Sequence, residues 1–240
     1  MAIALHSATS VTTNSTSVDG GTGTYRAIIF VANADTADNM TAVTWAGEAL
    51  TKLNSLVSVN TRYDYIWYLL NPTATGSQTL AVTGPTGYGN ATCLVYTGVS
   101  AIKNFNSATG NSTTPAVSIT ANNGDWLVGG ADSTAGTVTA GSNTTVRSSS
   151  SSAVQGDSNG AASPTALNWS APSGTWTAYG CAITPKIDAT VSDTSSSTDS
   201  VVSLTGVSIS DSSSSTDSIS YPDWINRQKN TTTWTNQNKS

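Results

Sequence analysis

Short runs of β-branched and aromatic residues, separated by turn-forming residues, constrain the fold of this chain more than any other feature. Runs such as Tyr25–Asn33, Tyr63–Leu70 and Ala91–Val99 are rich in Val, Ile, Tyr and Trp, and Gly, Asn, Asp and Pro separate them. Helical periodicity is nearly absent, and this combination is typical of β-sandwiches and barrels. The pattern predicts an all-β, jelly-roll-like antiparallel β-sandwich over residues 1–185, followed by an extended C-terminal repeat and tail.

The same runs predict the individual strands and the hydrophobic core. The predicted strands are Ile3–Val11, Tyr25–Asn33, Ala42–Trp45, Leu50–Val59, Tyr63–Leu70, Thr79–Thr83, Ala91–Val99, Ala116–Thr120, Trp126–Asp132, Thr137–Ala140, Thr144–Ser150, Ala166–Ser170 and Trp176–Thr184. The apolar positions of the strongest runs predict these core residues: Ile28, Phe30, Val43, Trp45, Leu69, Leu80, Val82, Leu94, Leu127, Leu167 and Ile183.

A weak internal repeat runs through the predicted sandwich. The segment 80–87 (LAVTGPTG) resembles the segment 167–174 (LNWSAPSG), and a run with one cysteine follows each of them. AIIFVANAD likewise resembles WLVGGADS. Two related halves of about 70–90 residues suit a jelly roll made of two Greek keys. Chance matching in a sequence of low complexity is the alternative interpretation.

The composition excludes some partners and gives an expectation about location. Charged residues make up only 10% of the chain and its net charge is −5, whereas an average domain is roughly 25% charged. There is no basic patch for nucleic acid, and no apolar run approaches the roughly 18 residues of a membrane span. A surface of hydroxyl and amide groups suits a protein that works outside cells. The first residues lack the features of a secretory signal. Either a virion protein, released by lysis, or a mature chain with an added Met reconciles the two observations.

The residue types that carry catalysis are sparse. His6 is the sole histidine, and no G-x-S-x-G motif accompanies it, so the sequence does not predict a catalytic triad or a zinc site. Glu48 and Asp64 are a conceivable pair of glycosidase carboxylates, but Glu48 falls in a predicted turn, where a solvated charge is ordinary. We therefore predict a protein that is not an enzyme and that has no cofactor and no metal.

Three further groups of residues leave alternatives open. Cys93 and Cys181 are either buried thiols or a disulfide. The aspartates of the C-terminal repeats are either hydrated turn residues or calcium ligands, although no D-x-D-x-D-G loop is present; they are Asp193, Asp199, Asp211 and Asp217. One aromatic group belongs either to the core and interfaces or to a glycan-binding face; its members are Trp45, Tyr63, Tyr65, Trp67 and Tyr68.

The character of the sequence changes after Pro185. In residues 186–220, VSDTSSSTDS at 191–200 recurs as ISDSSSSTDS at 209–218, a period of 18 residues. In residues 221–240, a W-x-N-x-x-K pattern occurs twice. Neither segment has enough apolar surface for a core of its own. We predict that the last segment docks on a partner through aromatic and basic side chains, namely Trp224, Arg227, Lys229, Trp234 and Lys239.

The sandwich region resembles a β-sandwich domain of bacteriophage virion structural proteins, also seen in bacterial surface proteins. The resemblance is carried by V-x-W-x-G-x-x-L-T at 43–51, W-Y-L-x-N-P at 67–72, G-x-x-x-L-x-V-T at 76–83 and Y-x-G-V at 96–99. It extends over roughly residues 1–185 and implies a sandwich fold without catalytic residues. The repeated W-x-N-x-x-K tail is similar to the ends of phage structural proteins.

The resemblance favours a non-enzymatic phage virion protein, either a capsid decoration or a tail or fibre component. Its expected location is the virion, and its expected partners are further copies of itself and other virion proteins. The second hypothesis is a glycan-binding or adhesin module of a bacterial surface or filament. It implies an extracellular location and a host-surface glycan as partner. Neither hypothesis involves nucleic acid or a membrane.

Overall fold

The computed structural model describes residues 2–34, 37–57, 59, 61–160 and 164–187, and the backbone of four short strands between residues 190 and 220. All regular secondary structure in this described part is β-strand, which confirms the predicted all-β fold. The chain divides into two compact units, Met1–Lys186 and Ile187–Ser240.

The first half of the larger unit is a complete sandwich. Its strands are β1 (Ala4–Ser10), β2 (Ser15–Asp19), β3 (Arg26–Ala34), β4 (Ala42–Trp45), β5 (Glu48–Ala49), β6 (Thr51–Val57), β7 (Tyr63–Leu70), β8 (Ser77–Thr83) and β9 (Tyr88–Thr97). They form sheet A, in the order β1-β9-β3-β7-β6, and sheet B, in the order β2-β8-β4-β5. The strands pair in a nested order, like the two arms of one long hairpin: β1 with β9, β2 with β8, β3 with β7, and β4 with β5. Successive pairs alternate between the two sheets, which is the arrangement of a jelly roll.

The second half repeats this topology. Its strands are β10 (Val99–Ser112), β11 (Ala116–Ser118), β12 (Trp126–Ser133), β13 (Thr139–Ala140), β14 (Thr145–Ser149), β15 (Ala153–Asp157), β16 (Ala166–Ser170) and β17 (Gly174–Pro185). Sheet C has the order β10-β17-β12-β15-β14, and sheet D has the order β11-β16-β13. Sheet C therefore corresponds strand by strand to sheet A, and sheet D corresponds to sheet B without its last strand.

The register of the strands explains the weak sequence repeat. Leu80 and Leu167 are both fully buried, on the corresponding strands β8 and β16. Phe30 lies opposite Cys93 in sheet A, and at the corresponding place in sheet C Gly129 lies opposite Gly180. The repeat therefore reflects two related halves, and chance matching is the wrong interpretation. Each half forms a jelly roll of its own, whereas the sequence predicted one jelly roll made of both halves.

Three hydrophobic layers hold the larger unit together. The first lies between sheets A and B and contains Trp45 and Phe30. The third lies between sheets C and D and contains Trp169. The second layer joins side chains of sheet A, such as Leu94, to side chains of sheet C, such as Ile183. The two sandwiches are thus stacked through their five-stranded sheets, in the order B, A, C, D.

The core prediction is confirmed at nearly every position. Ten of the eleven predicted core residues are buried, and Leu69 is partly buried against the first layer. The two cysteines, which follow similar segments, face different layers: Cys93 faces the first and Cys181 the second. Both are free thiols, so the disulfide hypothesis is wrong.

Within the smaller unit, the structure describes four short strands in two parallel pairs. These are β18 (Thr190–Asp193), β19 (Ser200–Val202), β20 (Ser208–Asp211) and β21 (Ser218–Ser220). β18 pairs with β20, and β19 pairs with β21. Thr190 lies opposite Ser208 and Ser200 lies opposite Ser218. The structural offset of 18 residues equals the period of the sequence repeat.

We expect Leu94→Ala to lower the free energy of unfolding by about 2–5 kcal/mol, because it removes a buried side chain from the middle layer. Ile187→Ala is the matched control, since Ile187 is 50% exposed. Its effect should stay within about 0.5 kcal/mol. Denaturant titration of both variants measures the difference. A loss below about 0.5 kcal/mol for Leu94→Ala would show that the two sandwiches do not pack as described.

Candidate functional site

The residues predicted to dock on a partner lie outside the described part of the chain. This applies to all five of them, namely Trp224, Arg227, Lys229, Trp234 and Lys239. Their role stays a prediction. The described backbone of the smaller unit ends with β21 at Ser220. The candidate interaction site that the structure does describe is therefore the pair of parallel ladders before the tail.

The parallel ladders place like residues of the two repeats beside each other. Val191 lies opposite Ile209, Ser192 opposite Ser210, and Val201 opposite Ile219. Among the residues that the structure describes, each ladder has two strands, so each of its strands has one edge without a described partner. Two-stranded sheets are marginal in water. A further strand of the same sequence fits such an edge in the same register.

Asp193 and Asp211 are also direct neighbours in this register. Neighbouring strands lie about 4.8 Å apart. The in-register pairing of the repeats therefore brings two of the four repeat aspartates together. The other two, Asp199 and Asp217, lie outside the described residues. The two interpretations of this group, hydrated turn residues and calcium ligands, are not decided by the described residues.

A second cluster, of buried polar side chains, lies between the two sandwiches. Asn33 Nδ2 donates to Asp64 Oδ1 at 2.8 Å and to Asp132 Oδ2 at 3.4 Å. Asn33 and Asp64 belong to sheet A and Asp132 belongs to sheet C, and both aspartates are fully buried. Asn33 and Asp132 occupy corresponding positions of β3 and β12, so the two halves meet here through the same point of their repeat.

The environment of Asp64 favours its neutral form. Burial raises the pKa of the Asp64 carboxyl well above its usual range, and the charge of Asp132 raises it further. Asn33 opposes this shift through its hydrogen bond. The Tyr179 hydroxyl also faces this cluster, and burial, together with the charges of Asp64 and Asp132, raises the pKa of Tyr179. The cluster is therefore an internally bonded contact between the sandwiches, in which the surroundings of Asp64 favour its neutral form.

Further polar contacts cross the same layer. Tyr96 of sheet A donates to Asp157 Oδ2 of sheet C at 2.7 Å. Arg147 holds the same carboxylate with two bonds, from Nε to Oδ2 at 2.9 Å and from Nη2 to Oδ1 at 3.0 Å. The Asn90 side chain donates to the carbonyl of Ala153 at 3.2 Å. These bonds fix the register of one sheet on the other, as buried polar groups do elsewhere.

The structure does not bring the proposed glycosidase carboxylates together. Glu48 lies on sheet B, where it accepts hydrogen bonds from the Thr73 hydroxyl at 2.6 Å and the Thr73 N–H at 2.9 Å. These bonds lower the pKa of Glu48. Asp64 lies in the layer on the other side of sheet A. The two side chains cannot flank one sugar, so this pairing is wrong.

The other candidate reactive groups, the histidine and the two cysteines, are not arranged for nucleophilic chemistry. His6 forms an exposed pair with Asp19 at 3.2 Å, and Ser7 donates to the backbone carbonyl of Asp19, not to the histidine. Burial raises the pKa of Cys181 to about 12 and raises that of Cys93 still more. Thiols with raised pKa values are poor nucleophiles.

The aromatic group predicted for the core or a glycan-binding face belongs to the packing. Trp45 and Tyr65 are fully buried and Trp67 is 5% exposed, all in the first layer. Tyr63 stacks on Tyr65 with ring centroids 6.2 Å apart, and Tyr68 packs on the middle layer. These five side chains do not form an open stacking surface, so the glycan-binding face is wrong at this place.

The comparisons with known proteins add no relative. No protein-family model matches the chain, and neither the curated proteins nor the solved structures contain a significant match. Within the described residues, no three His, Cys, Asp or Glu side chains are grouped so that they could hold a metal ion. The same part of the chain contains no helix that could span a membrane.

We expect Asp64→Asn to flatten the pH dependence of stability. The pKa of Asp64 is raised in the folded state. Its contribution to the free energy of unfolding is therefore complete below the ordinary aspartate pKa of about 4, and it is lost as the pH rises through the pKa of the folded state. The advantage of the variant should therefore grow with pH, by up to about 1.4 kcal/mol per pH unit. Denaturant titrations from acid to mildly alkaline pH measure this slope.

Asp19→Asn is the control for this experiment. The Gly21 N–H and His6 lower the pKa of the exposed Asp19 carboxyl, so its contribution is present at neutral pH and is lost as the pH falls. The control should leave the alkaline side of the profile unchanged. Parallel profiles for Asp64→Asn and the unmodified chain would contradict a neutral Asp64.

Proposed function

We propose that the chain is a non-enzymatic structural protein of a phage particle, a capsid decoration or a tail or fibre component, and that it acts by self-association and docking. The observation that carries this proposal is the C-terminal unit, in which the two repeats pair in parallel at an offset equal to their period. Within the part of the unit that the structure describes, this pairing leaves strand edges that fit another copy of the same repeat.

The larger unit supports the proposal through its construction. Two jelly rolls share a middle layer with apolar contacts and buried hydrogen bonds. A body held on both faces of its central sheets is stiff, because packed interiors deform little. A stiff body followed by a segment with open strand edges suits a protein whose work is assembly. The sequence resemblance to phage virion sandwiches points the same way.

The tail contributes the docking element of this proposal. Tryptophan and arginine are frequent anchors of protein interfaces, and residues 221–240 carry two tryptophans and three basic residues in an acidic chain. An acidic surface on a neighbouring subunit or on the particle would attract such a segment. The partners are then further copies of the chain and other virion proteins.

Three chains test the assembly role, namely the full-length protein and chains that end at Ser220 and Lys186. The last contains the whole larger unit with its own cores, so we expect it to fold and to sediment as a monomer. The full-length chain should self-associate, and the chain ending at Ser220 should associate but lose attachment to the particle. Sedimentation velocity and co-sedimentation with purified particles measure the two properties.

Two results would contradict the proposal. Equal association of the full-length chain and the chain ending at Lys186 would exclude the C-terminal unit as the assembly element. Absence of the protein from purified phage particles, measured by mass spectrometry of the particles, would exclude the virion role.

A further inference from the structure

The two parallel ladders of the smaller unit are interleaved along the chain. The strands follow one another in the order β18, β19, β20 and β21, but β18 pairs with β20 and β19 pairs with β21. Consecutive strands that pair through a hairpin run antiparallel, so hairpins do not produce this arrangement. The chain instead returns to each ladder once per repeat, in the same direction and at the same offset.

The connection within one ladder carries a strand of the other ladder. Between β18 and β20 the chain forms β19, and between β19 and β21 it forms β20. Parallel neighbours need a crossover of about a dozen residues or more, which is usually helical. Here each repeat contributes one strand to each of two ladders. This is the backbone pattern of a β-solenoid, in which one repeat is one coil and contacts only the neighbouring coils. The first coil contains β18 and β19, and the second contains β20 and β21.

The sequence does not supply a third coil. In the ladders, Ile209 and Ile219 of the second repeat lie opposite valines of the first. One period after these isoleucines the sequence has Arg227 and Gln237. One period before β18 lie residues 172–175, which belong to the larger unit. A stack of this kind needs roughly three or more repeats for stability, so two coils need a further coil from another source.

We propose that the two repeats are the coils of a β-solenoid, and that a second copy of the chain continues the stack by pairing its first coil with the second coil in the same register. β20 and β21 pair with β18 and β19 along one edge. The same two strands of another copy have the same sequence and fit the other described edge. This contact rests on the proposed self-association of the chain and specifies its strands. Because it is head to tail, it can add further copies.

A pair of introduced cysteines tests the coils within one chain. Ser192 lies opposite Ser210, and neighbouring strands lie about 4.8 Å apart, within the roughly 4.4–6.8 Å between Cα atoms that a disulfide joins. The full-length chain with Ser192→Cys and Ser210→Cys should form an intrachain disulfide in oxidised glutathione at high dilution, measured by mass spectrometry of its peptides. The matched control combines Ser192→Cys with Ser208→Cys, two positions out of register, and should not form it.

Two chains with one introduced cysteine each test the contact between copies. In the continued stack, β20 of one copy lies beside β18 of the next, so a mixture of Ser192→Cys and Ser210→Cys chains should form a cross-linked dimer. Neither chain should do so alone. Ser170→Cys, at an exposed position of the larger unit, replaces either partner as a control and should not cross-link. The native thiols of Cys93 and Cys181 are buried, so the parent chain should stay unlinked. Non-reducing electrophoresis measures the dimer.

The outcomes separate this contact from the general assembly role. Absence of the intrachain disulfide between positions 192 and 210 would overturn the coils. Cross-linking of Ser210→Cys alone to the same extent as the mixture would overturn the head-to-tail register. Absence of the mixed dimer in a protein that self-associates would overturn the contact and leave the assembly role of the C-terminal unit in place. A full-length chain that sediments as a monomer would overturn both.

Discussion

The face-to-face packing of sheets A and C is the contact on which the rest of the larger unit depends. Strand β3 is buried at all nine positions because sheet B covers one of its faces and sheet C covers the other. Without sheet C, the side chains of Ile29, Val31 and Leu94 would face water, at about 1.5–3 kcal/mol each. That sum is a large part of the roughly 5–15 kcal/mol that keeps a domain folded. Neither jelly roll therefore carries the stability of the unit alone.

The polar contacts in this layer determine how the sheets are aligned, more than how strongly they adhere. Apolar surfaces slide on each other with little change in energy, whereas a buried carboxyl must meet its partner or remain unsatisfied. Asn33 with Asp132 and Tyr96 with Asp157 are such points, and each joins one residue of sheet A to one of sheet C. The raised pKa of Asp64 favours its neutral form, and that form lowers the cost of placing two carboxyl groups together. The pairs thus give the stacked sheets a single register.

The sequence predicted the architecture well where strands have an apolar or alternating pattern, and it missed strands whose burial is imposed by tertiary contacts. β15 is buried at all five positions, yet it contains Gln155, Gly156 and Asp157, which signal a turn when they are considered alone. β10 was missed beyond Val99 because its second half, NSATGNS, is small and polar. The buried cluster around Asp64 could not be predicted either, since it needs residues of β3, β7 and β12 in one layer. The repeat is weak in the sequence because Gly129 and Gly180 stand where the first half has Phe30 and Cys93.

The two sandwiches can be compared at corresponding positions. Where their residues differ, the comparison distinguishes what the fold requires from what it tolerates. A Cβ on Gly180 would lie 2.9 Å from Ile119 and Leu167, so there is no room for a side chain there. The second sandwich therefore packs closely with glycines at the positions where the first has Phe30 and Cys93. Both solutions bury their layers, which shows that this exchange is a matter of packing volume. Tyr25 and Gly124 differ in another way, because a left-handed turn gains nothing from a bulky side chain. The Tyr25 ring offsets this unfavourable backbone conformation through its contact with the Lys186 ammonium, which lies 3.6 Å from the ring centre.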